Sequence, residues 1–225
     1  MINKKRTAVI TGASSGLGEC LYKSFAESYN VINISRTISE SANNVVINLN
    51  DLPGLKNELQ TKNVKHELCI LNAGTMGSIG SACQISDEEL LEALRINVIA
   101  NKIIIDWSIL NGCKYFIGIS SGAAIKNYDG WLNYCVTKSA FRSMMLQYQK
   151  DLPKLNFRLI SPGILSTDMN KKIKALDVAL YPDMNKFHQQ PPDEPQKASD
   201  LIYQKYSDYF RDDKLEIDLR DEAEW

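Results

Sequence analysis

Residues 11–18 of this 225-residue chain read TGASSGLG, and the rest of the sequence is arranged around this glycine-rich turn. A short apolar run at 7–11 precedes the turn, and a helical pattern begins at Gly16. Glycine at 12, 16 and 18 allows a tight turn, close approach of backbone amides to a pyrophosphate, and close packing of helix on strand. The N-terminus of the following helix adds free N–H groups and a partial positive charge. The turn therefore predicts a nucleotide-binding site, and the alternative is a turn that serves only packing.

Short β-branched runs alternate with longer helical patterns along the chain. Strands are predicted at 7–11, 31–35, 45–48, 68–72, 115–120, 156–161 and 214–218. Helices are predicted at 16–29, 86–111 and 131–152, and Ser86 with Glu89 is typical of a capping box that opens the second helix. The connection at 36–44 leaves room for at most one turn of helix. This alternation predicts an α/β fold, a Rossmann-type doubly wound parallel sheet in a single domain over residues 1–225.

Composition and charge argue against several other classes of protein. The net charge is −1, with both signs interspersed, so no charged surface for nucleic acid or an anionic membrane is predicted. The cysteines are scattered, odd in number and without CxxC spacing, so neither a disulfide framework nor a metal site is expected, and reduced thiols favour a cytoplasmic location. Residues 1–6 lack the apolar core of a signal peptide, and no apolar run approaches the roughly 20 residues that span a bilayer.

A second pattern is formed by Ser121, Tyr134 and Lys138. Tyr134 and Lys138 are four residues apart in a predicted helix, so they share one face, although such a pair also occurs by chance on solvated helices. A neighbouring ammonium is expected to lower the pKa of the phenol from its usual value near 10. Tyr134 would then give a proton to a carbonyl oxygen as hydride reaches the carbon, or take it back from an alcohol. Ser121 is expected to hydrogen-bond the same oxygen, with Ser120 as its alternative.

In order along the chain, the glycine turn, Asn72-Ala73-Gly74, Asn97, the Ser121, Tyr134 and Lys138 pattern and Pro162-Gly163 resemble the classical short-chain dehydrogenase/reductase family. The resemblance spans residues 7–168. It implies a Rossmann-type fold, a nicotinamide dinucleotide, and a catalytic set of Asn97, Ser121, Tyr134 and Lys138. It also implies that Lys138 holds the ribose hydroxyls and that Asn97 helps to hold a water, and its usual spacing favours Ser121 over Ser120. Two alternatives stay open: Asn97 as a kinked helix position, and residues 72–74 as a strand-ending turn.

The choice of dinucleotide depends on the end of the second predicted strand, where this chain has Ser35-Arg36. A guanidinium there pairs with a 2′-phosphate, whereas a carboxylate would accept from a 2′-hydroxyl, so NADP(H) is preferred over NAD(H). Asn48 stands where relatives often carry an aspartate near adenine. The expected cofactor contacts are Gly12, Ser14, Ser15, Gly16, Leu17, Gly18, Ser35, Arg36, Asn48, Leu49, Asn72, Ala73, Gly74, Tyr134, Lys138, Pro162, Gly163, Ile164 and Thr167.

By the same resemblance, residues 168–195 form a substrate lid. Its apolar side chains include Met169, Leu176, Leu180, Tyr181, Met184 and Phe187, which either face a hydrophobic substrate or pack in the core. The chain stops soon after its last predicted strand in an acidic tail, which resembles compact carbonyl reductases of the sepiapterin reductase and benzil reductase type. His66 and His188 are predicted to be surface residues.

The sequence thus predicts an NADPH-dependent oxidoreductase that reduces a small hydrophobic or activated carbonyl compound, such as a diketone, quinone or pteridine ketone, with Tyr134 as acid. One alternative is an alcohol dehydrogenase of hydroxysteroid or sugar type, and another is a dinucleotide-binding redox sensor without turnover. The resemblance also implies a homodimer or homotetramer. Trp107 and Trp131 would then belong either to an interface or to the core.

Overall fold

Seven strands form one parallel sheet in the computed structural model, which describes residues 5–37 and 44–222. The strands are β1 Arg6–Thr11, β2 Tyr29–Ser35, β3 Asn44–Val46, β4 Leu68–Leu71, β5 Tyr115–Ile119, β6 Asn156–Ser161 and β7 Glu216–Asp218. Their order is β3-β2-β1-β4-β5-β6-β7, and each neighbouring pair runs parallel. The strand order therefore reverses between β1 and β4, where the carboxyl ends of the strands open a crevice for ligands. The predicted Rossmann-type sheet is confirmed.

Helices cover both faces of this sheet. They are α1 Gly16–Ala26, α2 Leu52–Gln60, α3 Asp87–Leu94, α4 Ala100–Leu110, α5 Leu132–Asp151, α6 Asp168–Lys174, α7 Asn185–Gln189, α8 Pro195–Tyr209 and α9 Leu219–Glu222. The predicted capping box is present, since Ser86 accepts from the Glu89 amide and the Glu89 carboxylate accepts from the Ser86 amide. Sequence reasoning did not assign α2 or α8. Both begin with a proline in the first turn, and the Asp51 side chain caps α2, so the start signals were present.

Two hydrophobic layers hold the sheet. On one face, Phe25 of α1 and Ile202 of α8 pack against β1 and its neighbours. On the other, Phe116 and Phe157 stack with ring centroids 4.5 Å apart beneath α4 and α5. Trp107 and Trp131 are both buried, so of the two roles left open for them the structure supports the core.

The predicted surface position of His66 is wrong. Its ring is buried and stacks on Trp107 with centroids 4.9 Å apart, and its Nδ1 lies 2.7 Å from the Val64 carbonyl oxygen. Burial in this stack lowers the pKa of His66. The ring therefore serves as an apolar surface against an aromatic neighbour, while His188 is exposed as predicted.

Three predicted features lie wholly or largely outside the described residues: the start of the chain, the 36–44 connection and the end of the acidic tail. Across 5–37 and 44–222, no helix has both the length and the apolar character needed to cross a bilayer. Within the same ranges, no group of three or more His, Cys, Asp or Glu side chains is placed to hold a metal ion.

Candidate active site

The glycine turn joins the carboxyl end of β1 to the N-terminus of α1. Gly12 and Gly16 have φ of +70° and +56°, which favour glycine strongly. A Cβ on Gly18 would lie 2.1 Å from the Gly12 carbonyl oxygen, so this position admits no side chain. Ser15 is the N-cap of α1 but makes no side-chain capping bond. The Ser15 side chain therefore does not occupy the free amides of this helix end, an arrangement that suits an anion.

A polar residue that sequence reasoning missed, Asn33, holds this turn from β2. Its side chain is fully buried, and Oδ1 accepts from the Ala13 amide at 3.1 Å. Nδ2 donates to Ser35 Oγ at 2.9 Å and to Asn44 Oδ1 at 2.8 Å. Asn33 thus links the glycine turn to the end of β2 and to β3. The signal in the sequence was an amide side chain inside the otherwise apolar strand VINIS.

The end of β4 is tied to the same turn through Thr11. Thr11 Oγ1 accepts from the backbone amides of Asn72 and Ala73 at 3.0 and 2.9 Å. The Asn72 side chain donates back to the Thr11 carbonyl at 3.0 Å. Asn72 was predicted to contact the cofactor. Here its amide group positions the turn, in keeping with the alternative reading of residues 72–74 as a strand-ending turn.

Ser121, Tyr134 and Lys138 meet at the carboxyl end of β5. The Ser121 side chain lies close enough to the Tyr134 phenol to influence its pKa, so the serine that the spacing favoured is a neighbour of Tyr134. Lys138 lies one helical turn beyond Tyr134, and its ammonium donates to the Ile119 carbonyl at 2.8 Å. Its Nζ is 5.7 Å from the centre of the Tyr134 ring. Three of the four predicted catalytic residues are therefore brought together.

Asn97, the fourth, sits on a π-helical turn, Arg95–Ile99, between α3 and α4. Its Oδ1 accepts from the Thr75 amide at 2.8 Å, and its Nδ2 donates to the Thr75 carbonyl at 2.7 Å and to Thr137 Oγ1 at 2.8 Å. A Cβ on Gly74 would come within 3.3 Å of Asn97 Oδ1 and 3.8 Å of Lys138 Nζ. Asn97 and Lys138 thus both approach Gly74 at the position that a Cβ would occupy. The irregular helix position that the sequence left as an alternative is also present, as this π turn. Such turns are frequent at functional sites.

Burial sets the pKa values of this group. Burial raises the pKa of Tyr134 above its usual value of 10, and the neighbouring Ser121 hydroxyl opposes that rise. Burial also lowers the pKa of Lys138 to about 8. The sequence predicted a lowered pKa for Tyr134, and that direction is wrong because loss of water around the phenol outweighs the other influences. The consequence is a tyrosine that carries its proton at neutral pH.

The other predicted cofactor contacts on this side of the site differ in how much of their side chain they expose. Arg36 is exposed just beyond β2, and the Ser35 hydroxyl donates to the Thr37 carbonyl at 2.6 Å. Asn48 is exposed and accepts from the Asn50 amide at 3.1 Å. Leu17 and Leu49 are buried in the two core layers. Only backbone groups of these two leucines are left for a ligand.

The segment after β6 lies against the glycine turn. Gly163 has a φ of +83°, and Pro162 before it is buried. Thr167 caps α6, and its Cγ2 is 3.4 Å from where a Cβ on Gly16 would stand. The predicted contacts at 162–167 and those of the turn are therefore neighbours across the crevice.

Three rings pack around the indole of Trp131, and we call the four together the aromatic cluster: Tyr128, Trp131, Tyr134 and Phe187. Trp131 meets Tyr134 edge-on with centroids 5.6 Å apart, and its other ring neighbours are Tyr128 at 5.0 Å and Phe187 at 5.2 Å. From the segment 168–195, Met184 is also buried in this group, whereas Leu180 is 71% exposed. The apolar side chains left open between substrate and core thus pack mainly around the predicted catalytic tyrosine.

A family model described as short chain dehydrogenase matches residues 67–177, which include Asn97, Ser121, Tyr134 and Lys138. The chain belongs to the short-chain dehydrogenase/reductase family. It is accordingly an oxidoreductase that acts on alcohol or carbonyl groups.

This short-chain dehydrogenase/reductase is similar to a benzil reductase ((S)-benzoin forming) of Bacillus cereus, with 27% identity over 214 residues that cover 81% of this chain and 84% of the relative. Its fold matches a short chain dehydrogenase family protein from Francisella tularensis, with a TM-score of 0.81, 22% identity, and coverage of 95% and 97% of the two chains. It also matches a Shigella flexneri short chain dehydrogenase complexed with NADP, with a TM-score of 0.80, 17% identity, and coverage of 96% and 98%.

The residues of this short-chain dehydrogenase/reductase fit a nicotinamide dinucleotide. The uncapped start of α1 suits a pyrophosphate, because its N–H groups face the crevice. The Lys138 ammonium is held beside Gly74, where the lack of a Cβ leaves the approach to Asn97 and Lys138 open. An ammonium at this place suits ribose hydroxyls, and the exposed Arg36 guanidinium suits a phosphate.

Proposed function

We propose that this short-chain dehydrogenase/reductase is an NADPH-dependent reductase of small carbonyl compounds, with Asn97, Ser121, Tyr134 and Lys138 as its catalytic set. The observation that carries the proposal is the buried Tyr134 side chain, which has Ser121 beside it and Lys138 one helical turn away. A tyrosine that keeps its proton at neutral pH is suited to act as an acid, which is the role that carbonyl reduction requires.

The chemistry adds one hydride and one proton to each carbonyl group. Bound NADPH would supply the hydride to the carbonyl carbon. Tyr134 donates its proton to the carbonyl oxygen, and Ser121 hydrogen-bonds the same oxygen as negative charge develops there. Lys138 stabilises the phenolate that forms, because its ammonium is close and poorly solvated. Asn97 lies beside Gly74, as does the Lys138 ammonium, and its role in this proposal is to help hold a water through which a proton returns to Tyr134.

The preference for NADPH over NADH rests on the end of β2. Arg36 is exposed there without a neighbouring carboxylate in the sequence, so its guanidinium can pair with a 2′-phosphate. Ser14, partly exposed in the glycine turn, supplies a second donor. The NADP named for the Shigella flexneri structure agrees with this choice.

The proposed substrate is a hydrophobic or activated carbonyl compound, and residues 168–195 are its lid in a single reductase domain. The aromatic cluster gives the pocket an apolar wall, and Met184 and Phe187 come from the lid itself. Both ends of the lid are held, because Ile164 and Ser166 bond with the backbone of Asp193. The benzil reductase relatives act on a diaryl diketone by their names, which favours a diketone among the candidates.

Two further properties are proposed with this function. The five cysteines are all free thiols, which favours a cytoplasmic reductase. The second is a homodimer or homotetramer, in which Leu91 of α3 and Val136 of α5, 45% and 39% exposed, would be covered by another copy of the chain.

The test is NADPH oxidation by the purified protein with a panel of diketones, quinones and aldehydes. Tyr134→Phe is expected to lower kcat by on the order of a thousandfold while NADPH still binds, because only the proton donor is lost. Tyr148→Phe is the matched control: this tyrosine lies on the same helix, hydrogen-bonded to Asp106, and its loss should leave turnover unchanged.

Tight NADPH binding without turnover of any carbonyl would contradict the reductase. Oxidation of alcohols with NADP+ in that case would favour the dehydrogenase direction, and no turnover in either direction would favour a redox sensor. Equal activity of the wild type and Tyr134→Phe would remove Tyr134 from the mechanism.

A further inference from the structure

Trp131 has a buried hydrogen-bond donor with nothing to bond. The side chain is 3% exposed, and its Nε1 finds no acceptor among the described residues. Tryptophan N–H groups usually find a partner when buried, and leaving one unpaired is destabilising. Trp107 gives the contrast within the same chain, because its Nε1 donates to the Lys62 carbonyl at 3.1 Å. An unpaired donor in so apolar a place is suited to a ligand acceptor.

The surroundings of Trp131 place this donor at the substrate wall. The indole lies three residues before Tyr134 and packs edge-on against its ring. On its other sides it meets Phe187 of the lid and Tyr128. A molecule whose carbonyl reaches the Tyr134 hydroxyl therefore has Trp131 as a direct neighbour. Because the lid covers the indole, binding requires Phe187 to move.

The two kinds of donor at this site imply a substrate with two acceptors. Tyr134 and Ser121 are already assigned to the oxygen of the carbonyl that is reduced. We propose that Trp131 determines specificity by donating its indole N–H to the second oxygen of a vicinal aryl dicarbonyl, an inference that rests on the proposed function. The rings of the aromatic cluster pack against the aryl groups, and the second carbonyl remains unreduced. A site with a buried donor discriminates against analogues that lack the matching acceptor.

The test compares benzil with deoxybenzoin, in which a methylene replaces the second carbonyl. Trp131→Phe keeps an aromatic ring but removes the donor. We expect it to lower kcat/KM for benzil about tenfold and to change kcat/KM for deoxybenzoin by less than about threefold, as for loss of one hydrogen bond. Trp107→Phe, the matched control, should leave the ratio of the two values unchanged, because that indole lies in the core layer beneath α4 and α5 and outside the aromatic cluster.

The outcomes separate the two claims. An equal loss on both ketones, or no loss on either, would overturn the role of Trp131 while leaving the reductase intact. Reduction of other carbonyl compounds with NADPH, but of neither benzil nor deoxybenzoin, would also overturn the role of Trp131 and leave the reductase intact. No NADPH oxidation with any carbonyl would remove the proposed function and this inference with it. If Trp131→Phe does not fold, benzothienylalanine at 131 keeps the shape of the indole and replaces N–H by sulfur, and the same ratio decides.

Discussion

At the scale of single residues, Lys138 is unusual because a side chain that carries a charge is buried. Its ammonium donates to the Ile119 carbonyl, and the main influence on its pKa is the loss of surrounding water on burial. The pKa falls from 10.5 to about 8, which corresponds to on the order of 3 kcal/mol of instability while the group is charged. The proposed chemistry explains why such a charge is kept beside Tyr134, since functional sites often trade stability for activity.

Lys138→Met is therefore expected to abolish turnover and to stabilise the fold at neutral pH. After allowing for the lost hydrogen bond to Ile119, the net gain is about 2 kcal/mol, or roughly 4–8 °C in Tm at pH 7. Between pH 8 and 10.5 the folded wild type binds fewer protons than the unfolded chain, so its stability rises with pH and the advantage of the variant shrinks. Thermal melts across this range measure the effect. Lys150→Met, exposed on the same helix, should change neither quantity, and a destabilised Lys138→Met at pH 7 would contradict the argument.

Much of the site could be predicted from sequence because its side chains obey local rules. Tyr134 and Lys138 share a face through helical spacing, and Gly12, Gly16 and Gly18 are required by backbone geometry. The pKa of Tyr134 could not be predicted, because its direction depends on burial that only the packed aromatic cluster creates. Asn33 was missed for a similar reason. Its role depends on a turn that is near in space and distant in sequence.

At the scale of elements, the C-terminal end of α8 is held by a buried arginine in β6. The Arg158 guanidinium donates to the carbonyls of Tyr209, Asp212 and Phe157, and it lies over the Phe210 ring at 5.5 Å. A cation at the end of a helix is favourable because the last carbonyls carry partial negative charge. Arg158 thus fixes the chain between α8 and the edge strand β7. In the sequence, this role is indicated only by a charged residue inside the largely apolar strand β6.

Arg158→Met is expected to destabilise the protein by about 3 kcal/mol, because it removes the hydrogen bonds that a buried guanidinium makes to three carbonyl groups. That corresponds to a fall of roughly 6–12 °C in Tm for a chain of this size. Arg211→Met is the matched control two residues after α8, because Arg211 makes only an exposed ion pair with Asp208. Similar Tm values for the two variants would show that the buried contacts contribute little.

At the scale of the whole molecule, the alternation of strands and helices was predictable because each buried parallel strand is an apolar run. The helices α2 and α8 were harder to predict, because α2 is short and both carry a proline in the first turn, a residue that also marks turns. The crevice then collects segments from both halves of the chain. The glycine turn lies in the first half, and the 162–167 segment that packs against Gly16 lies in the second. A ligand bound there links the two halves.

NADPH is therefore expected to stabilise the entire fold, and more strongly than NADH at the same concentration. At a hundred times its Kd the gain is about 2.7 kcal/mol, or roughly 5–10 °C in Tm. Arg36→Ser should weaken NADPH binding tenfold or more, to the level of NADH, because only the 2′-phosphate meets the guanidinium. The control is Lys114→Ser, which removes an exposed charge just before β5, at the opposite end of the parallel sheet. Equal stabilisation by the two dinucleotides in the wild type would refute the assignment of Arg36, and no shift with either would refute the dinucleotide site.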